Sequence, residues 1–243
     1  MFLPYETLVD LPYQDPPPTW NTKLSGITPV SSVGGKPAPT GHSYYKVMAG
    51  TTNDQFRVWC FKEKKACLPL NVIMVEVGGN RIAWYMQILT SSAQVTFGGT
   101  NAPICHGSGL STTTLSDLVV EVEYVDYKGV LRTVNDRNEL RAASGAFGLL
   151  GVVVSLTFQL DDMGVTDMMP LKVPMPLAIP PPKGYVVPAE VQKMIDEQGI
   201  TSAAFEAAQQ DFERRCQTDY YLEWFWFPYQ DDCWVNTWSS KLS

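Results

Sequence analysis

A period of two constrains this chain more than any other feature. In "LSDLVVEVEYVDYKGVLRTV" (residues 115–134), Val120, Val122 and Tyr124 alternate with polar neighbours, and the pattern breaks at 126–129, where "YKG" supplies a turn. Alternation puts one face of a strand into a core, and a short glycine-bearing break between two such runs folds them back as a hairpin. Two glycine-rich segments frame it. "GGTNAPICHGSG" (98–109) holds four glycines, one of the chain's two histidines and no charged side chain. "SGAFGLLGVVV" (144–154) leads into "SLTFQL", a glycine-punctuated strand. A loop made largely of backbone can bend where other residues cannot and bring its N–H groups close around an anion such as phosphate. The plainer reading is a tight connection between strands.

Charge narrows the partners. With a net charge of −7 and 243 residues, the chain has no broad basic surface for nucleic acid or an anionic membrane, and is long enough to bury a sizeable core. Apolar runs such as "LGVVVSLTFQL" fall well short of the roughly 20 residues that span a bilayer, so no transmembrane segment is expected. The N-terminus lacks a basic region followed by an apolar leader core, and the expectation is a soluble, intracellular protein. The five cysteines (Cys60, Cys67, Cys105, Cys216, Cys233) are scattered without a C-x-x-C pair. With so few histidines they predict no metal site, and most read as small buried apolar residues in a reducing compartment.

Along the chain, residues 1–44 are rich in proline and turn formers and predict an irregular segment. From Tyr45 a strand leads into a helix bearing Phe56, Trp59, Cys60 and Phe61, with Thr52, Asn53 or Asp54 as its cap. "LNVIMVEV" is a second apolar stretch, and 138–143 predicts a short helix. The prolines of 168–188 are too many for regular structure and predict an extended crossing, with a boundary near 165. A polar helix follows over 189–216, interrupted at Gly199, and then "DYYLEWFWFPYQDDCWVNTW", strand-like and aromatic on both faces, hence buried on both or facing a ligand.

Taken in order, the "GGTNAPICHGSG" loop, the "LSDLVVEVEYVDYKGVLRTV" hairpin and the "FGLLGVVVSLTFQL" strand resemble the second half of the PCMH-type FAD-binding domain of the vanillyl-alcohol oxidase superfamily. Within it they are similar to the sugar-lactone and alditol oxidase branch and its fungal relatives. The similarity spans about residues 46–162, and "EWFWFP" resembles the cap strand of aldonolactone oxidases. The implied fold is α+β: a mixed or antiparallel sheet with flanking helices over 45–165, then a proline-rich crossing and part of a cap domain over 166–243. The implied activity is FAD-dependent oxidation of a CH–OH group in a small alcohol or lactone, with molecular oxygen or another acceptor reoxidising the flavin.

By that resemblance Gly98, Gly99, Thr100, His106, Gly107, Ser108 and Gly109 line the flavin and its diphosphate, with Ser116 and Asp117 at the following strand start. Gly145, Gly148, Leu150, Gly151 and Val152 lie along the adenosine. Glu223, Trp224, Trp226 and Tyr229 face the substrate side, although each aromatic taken singly also fits ordinary sheet core. His106 alone fits a satisfied loop histidine equally well, and no catalytic base is assigned.

The chain departs from the family pattern in three places. Its "PTGHS" sits too near the first strand for the family's histidine loop, so His42 reads as a loop residue and 1–44 as a remnant of a first FAD subdomain. The family continues beyond the aromatic cap strand, which leaves an inactive flavin-binding fragment or scaffold as the alternative function. Residues 78–94 ("GGNRIAWYMQILTSSAQ") interrupt the family's strand-to-loop passage, either as a surface excursion or as a translated intron.

Overall fold

The structure, a computed structural model, describes residues 24–67, 73–77, 80–84, 95–105, 110, 114–227 and 229–240. Its strands and helices in chain order are β1 (Ile27–Val30), β2 (His42–Met48), α1 (Asn53–Glu63), β3 (Lys65–Ala66), β4 (Ile73–Val77), β5 (Asn80–Trp84) and α2 (Phe97–Asn101). A 3-10 turn (Leu115–Leu118) leads to β6 (Val119–Val125), β7 (Leu131–Val134), α3 (Arg137–Ala143) and β8 (Val152–Asp162). The remainder is β9 (Val165–Met168), β10 (Leu171–Pro174), α4 (Met175–Ala178), α5 (Ala189–Glu197), α6 (Ser202–Thr218), β11 (Tyr221–Trp226) and β12 (Asp232–Ser240). Two compact units divide the chain: Met1–Met74, Arg81–Ser108 and Thr112–Gly164 form the first, Val75–Asn80, Gly109–Ser111 and Val165–Ser243 the second.

In the first unit an antiparallel sheet runs β1-β2-β8-β6-β7, with β3 also on β8. The expected hairpin is β6 and β7, closed by a turn in which Asp126 accepts the Lys128 and Val130 amides and the Arg132 guanidinium. Strict alternation fails at its start. A bulge between Val119 and Glu121 adds a residue, so that Val119 and Val122 both reach the core. Helix α1 covers this face, capped by Thr52, whose hydroxyl accepts the Gln55 amide while the Gln55 side chain accepts the Thr52 amide. It buries Phe56 and Cys60 among Val47, Leu156 and Phe158, and the rings of Phe56, Phe97 and Phe158 meet at 4.6–6.3 Å.

Several sequence expectations change. Part of the N-terminal stretch is regular: Ile27–Val30 pairs with β2. His42 is the first residue of β2, opposite Asp161, and its Nδ1 lies 3.2 Å from the Asp161 carboxylate. It is thus a strand residue and not a loop residue. Residues 147–150 are turn, and β8 starts at Val152, after Gly148 and Gly151 take positive φ values of 83° and 133° outside the strand region.

In the second unit β10, β12 and β9 lie side by side in that order, with β11 on β12. Here the proline-rich segment forms regular structure after all. Strands β9 and β10 pair with successive halves of β12, and Pro170, which has no N–H, stands where the pairing shifts. Pro174 ends an edge strand, and Pro176 lies in the first turn of α4, where no intrahelical N–H is needed. The aromatic stretch is two strands, β11 and β12, whose residues 221–226 pair with 238–233. Helix α5 ends at Glu197 and α6 begins at Ser202 with Thr201 as cap, so Gly199, at φ 63°, lies between them. Residues 80–84 of the expected insertion form β5, while 78–79 and 85–94 lie outside the described residues.

Candidate functional site

In the first unit the glycine-rich segments meet on one buried amide. Asn101, 2% exposed, ends α2. Its side-chain Oδ1 accepts the hydroxyls of Ser116 at 2.9 Å and Ser144 at 3.3 Å, and its backbone carbonyl accepts the Gly145 amide at 3.1 Å. One residue therefore ties together segments beginning near 98, 115 and 144. Sequence reasoning passed over Asn101. Its only local signal is a polar amide directly after three small residues in "GGTN", and its partners are 15 and 43 residues away.

The glycines at the start of the loop serve packing. Helix α2 is capped by the Thr96 hydroxyl, which accepts the Gly99 amide. The Gly98 amide donates to the Ala49 carbonyl and that of Thr100 to the Thr96 carbonyl. A Cβ on Gly98 would stand 3.1 Å from the Ala49 methyl, so glycine lets the helix approach the end of β2. These three amides already have acceptors within the protein. Ser116 is committed to Asn101, and Asp117 accepts the amide and hydroxyl of Thr114 as the reciprocal half of a cap. His106, Gly107, Ser108 and Gly109 lie outside the described residues.

The second glycine segment divides by role. A Cβ on Gly151 would lie 2.1 Å from the Val125 carbonyl oxygen, so Gly151 is demanded by the sheet. Gly145 packs on Ile104, whose Cδ1 would stand 2.7 Å from such a Cβ. Gly148 faces open space, with nothing within 4 Å. Its neighbours Phe147 and Leu149 are 73% and 91% exposed, Leu150 packs inward against the core, and elsewhere on this unit Val152 and Ile104, the latter beside Gly145, are exposed as well. Phe147 and Ile104 hold left-handed φ values of 48° and 55°, which β-branched or bulky side chains adopt only under constraint. The surface around Gly148 is thus apolar and open.

In the second unit the strand alternation separates the four substrate-side residues. Trp224 shares a face with Val235 and packs under α6, its ring 5.5 Å from Phe212 and its indole N–H donating to the Ala178 carbonyl. A cavity of about 270 Å³ opens beside it, lined by Leu177, Ala207, Ala208, Phe212 and Val235, with Asp211 and Arg215 on its wall. Trp226, on the same strand face as Trp224, and Tyr229 are exposed. Glu223 stands on the opposite face, beside Tyr221 and across from Asn236. Burial pushes its carboxyl up to about 7, against the pull of hydrogen bonds from Asn236 and Tyr221. Tyr221 is itself raised, first by burial and then by the neighbouring Glu223 charge.

All five cysteines are unpaired with one another; Cys60, Cys67 and Cys233 are buried, Cys216 is half-buried and Cys105 is exposed. Among the described residues no cluster of three or more metal-ligating side chains occurs, and no helix is long and apolar enough to cross a membrane.

No protein-family model and no curated protein matches the sequence. Solved structures do. A cholesterol oxidase from Brevibacterium sterolicum is similar with a TM-score of 0.54 and 18% identity, over 89% of this chain and 34% of its own. A mutant of that enzyme gives 0.54 and 17% over 90% and 35%, and a solvent-stable cholesterol oxidase 0.53 and 16% over the same shares. The chain thus spans about a third of the length of the enzymes it resembles. Its fold is α+β with antiparallel sheets, that of part of the PCMH-type FAD-binding architecture found in cholesterol oxidases.

Proposed function

We propose that the chain binds FAD and serves an oxidoreductase that acts on the CH–OH group of a small molecule. The observation that carries this reading is the junction at Asn101. Three segments far apart in sequence, each resembling a flavin-binding segment, are drawn to one point by its side-chain and main-chain acceptors. The likeness to cholesterol oxidases supports the same reading at the level of architecture.

Within it, Ile104, Phe147, Gly148, Leu149 and Val152 hold the flat adenosine part. The diphosphate falls to His106, Gly107, Ser108 and Gly109, since the amides of Gly98, Gly99 and Thr100 are already used. When bound, the flavin supplies the two-electron acceptor for the alcohol, and molecular oxygen or another acceptor takes those electrons onward. On the substrate side Glu223 accepts the hydrogen bond of the reacting hydroxyl, while Trp224 and Trp226, on the other strand face, support the sheet.

For the substrate we take a sugar lactone or alditol, on the strength of the "EWFWFP" strand. The experiment is to supply the FAD-loaded chain with an aldonolactone, an alditol, a sterol and no alcohol, and to follow oxygen uptake. Uptake with the lactone or alditol supports the finer reading. Uptake with the sterol alone keeps the oxidoreductase and overturns the substrate, and no uptake together with flavin that stays oxidised under every alcohol overturns the enzymatic reading.

A further inference from the structure

The face of β11 and β12 that carries Glu223 also carries a fixed amide. Asn236, 4% exposed and directly across from Glu223, donates from Nδ2 to the Glu223 Oε2 at 3.3 Å. Its Oδ1 accepts the indole N–H of Trp234 at 2.6 Å. An indole N–H can only donate, so it claims the oxygen end of the amide and leaves the amide's donors to the carboxyl. An untethered amide can turn over and offer its oxygen instead. That alternative suits a protonated carboxyl and disfavours an ionised one.

We propose that Asn236, locked by Trp234, is a positioning residue that holds Glu223 ready to accept a hydrogen bond from a hydroxyl-bearing ligand. The ligand clause rests on the substrate-side reading of Glu223 given above. Among the described residues on this face, Tyr221 is the titratable group beside Glu223, and it donates its hydroxyl to the same carboxyl. Phe225, Trp234 and Trp238 share the face by register and do not titrate. Lys172, opposite Trp234, and Asp232 pair with each other at 3.0 Å. The orientation of the carboxyl therefore depends on two neutral donors, Tyr221 and Asn236, and Trp234 governs which end of the amide Glu223 meets.

The test titrates the Glu223 carboxyl by carbon NMR in the full chain, with Glu223→Gln identifying the resonance. A midpoint near 7 is expected for the native chain. Asn236→Leu removes the donor and raises the midpoint by about one pH unit, and Trp234→Phe frees the amide and raises it by less. A midpoint that stays or falls in the folded variants overturns the proposal. Should Asn236→Leu fail to fold, Trp234→Phe decides, since it keeps an aromatic ring at a half-buried position. Failure of the functional reading registers separately, as absent flavin-dependent turnover in the native chain, while the midpoints still decide the role of Asn236.

Discussion

At the scale of single residues, two buried polar groups have consequences that can be measured. The Asn101 side chain accepts two hydroxyls from distant segments, and no apolar residue replaces that acceptor, although the main-chain carbonyl that accepts the Gly145 amide would remain. Asn101→Ala is expected to cost about 1–3 kcal/mol, the usual penalty for stranding buried donors. Urea unfolding of the variant checks this, and an unchanged midpoint would show that the junction is not under tension from those bonds. Glu223 makes the complementary case. Its carboxyl is raised to about 7 from an ordinary 4.5, so the fold holds that proton more tightly than the unfolded chain does. The resulting stabilisation is complete below about pH 4.5 and is lost as pH rises through about 7. Glu223→Gln should therefore gain stability relative to the native chain between pH 5 and pH 8, by about 1–2 kcal/mol once solvent screening of a half-buried group is allowed for. Equal differences at both pH values would contradict the raised carboxyl.

At the scale of elements, the two glycines 148 and 151 make a matched pair. Both need positive φ, but a methyl at Gly151 runs into the Val125 carbonyl while one at Gly148 meets nothing. Gly151→Ala is expected to destabilise the β6/β8 pairing severely, by about 3 kcal/mol or more, whereas Gly148→Ala should cost only its backbone strain, about 1 kcal/mol. Thermal unfolding of the two variants separates them. Similar losses in both would mean that the segment 147–151 is not placed as described. The hairpin, the capped helix α1 and the break at Gly199 were legible in the sequence because each depends on neighbours within a few residues: alternation, a cluster of capping residues at 52–54, a glycine between two helical runs. The regular structure of the proline-rich segment was hidden, since Pro170 and Pro176 fit only because β12 and the first turn of α4 spare their missing N–H. Asn101 was hidden for the opposite reason. Nothing near it in sequence announces partners that the fold brings from 116, 144 and 145.

At the scale of the whole molecule, the first unit carries the residues assigned to the cofactor except Gly109, and the second carries Gly109, Glu223 and its tethered amide. The sequence resemblance named the family of architectures, and the likeness to cholesterol oxidases agrees with it at the level of fold. Gly98, Gly99 and Thr100 look alike in sequence whether their amides point to a ligand or to the protein itself, and here those amides bond within the protein. Retention of FAD tests the central claim most directly. The purified chain is mixed with excess FAD, passed through a desalting column and read by absorbance, beside Gly107→Val as the loop variant. The account predicts a folded, yellow native chain and a folded, colourless variant. A native chain that is folded by circular dichroism and elutes without flavin, or a variant that keeps as much flavin as the native chain, would contradict it.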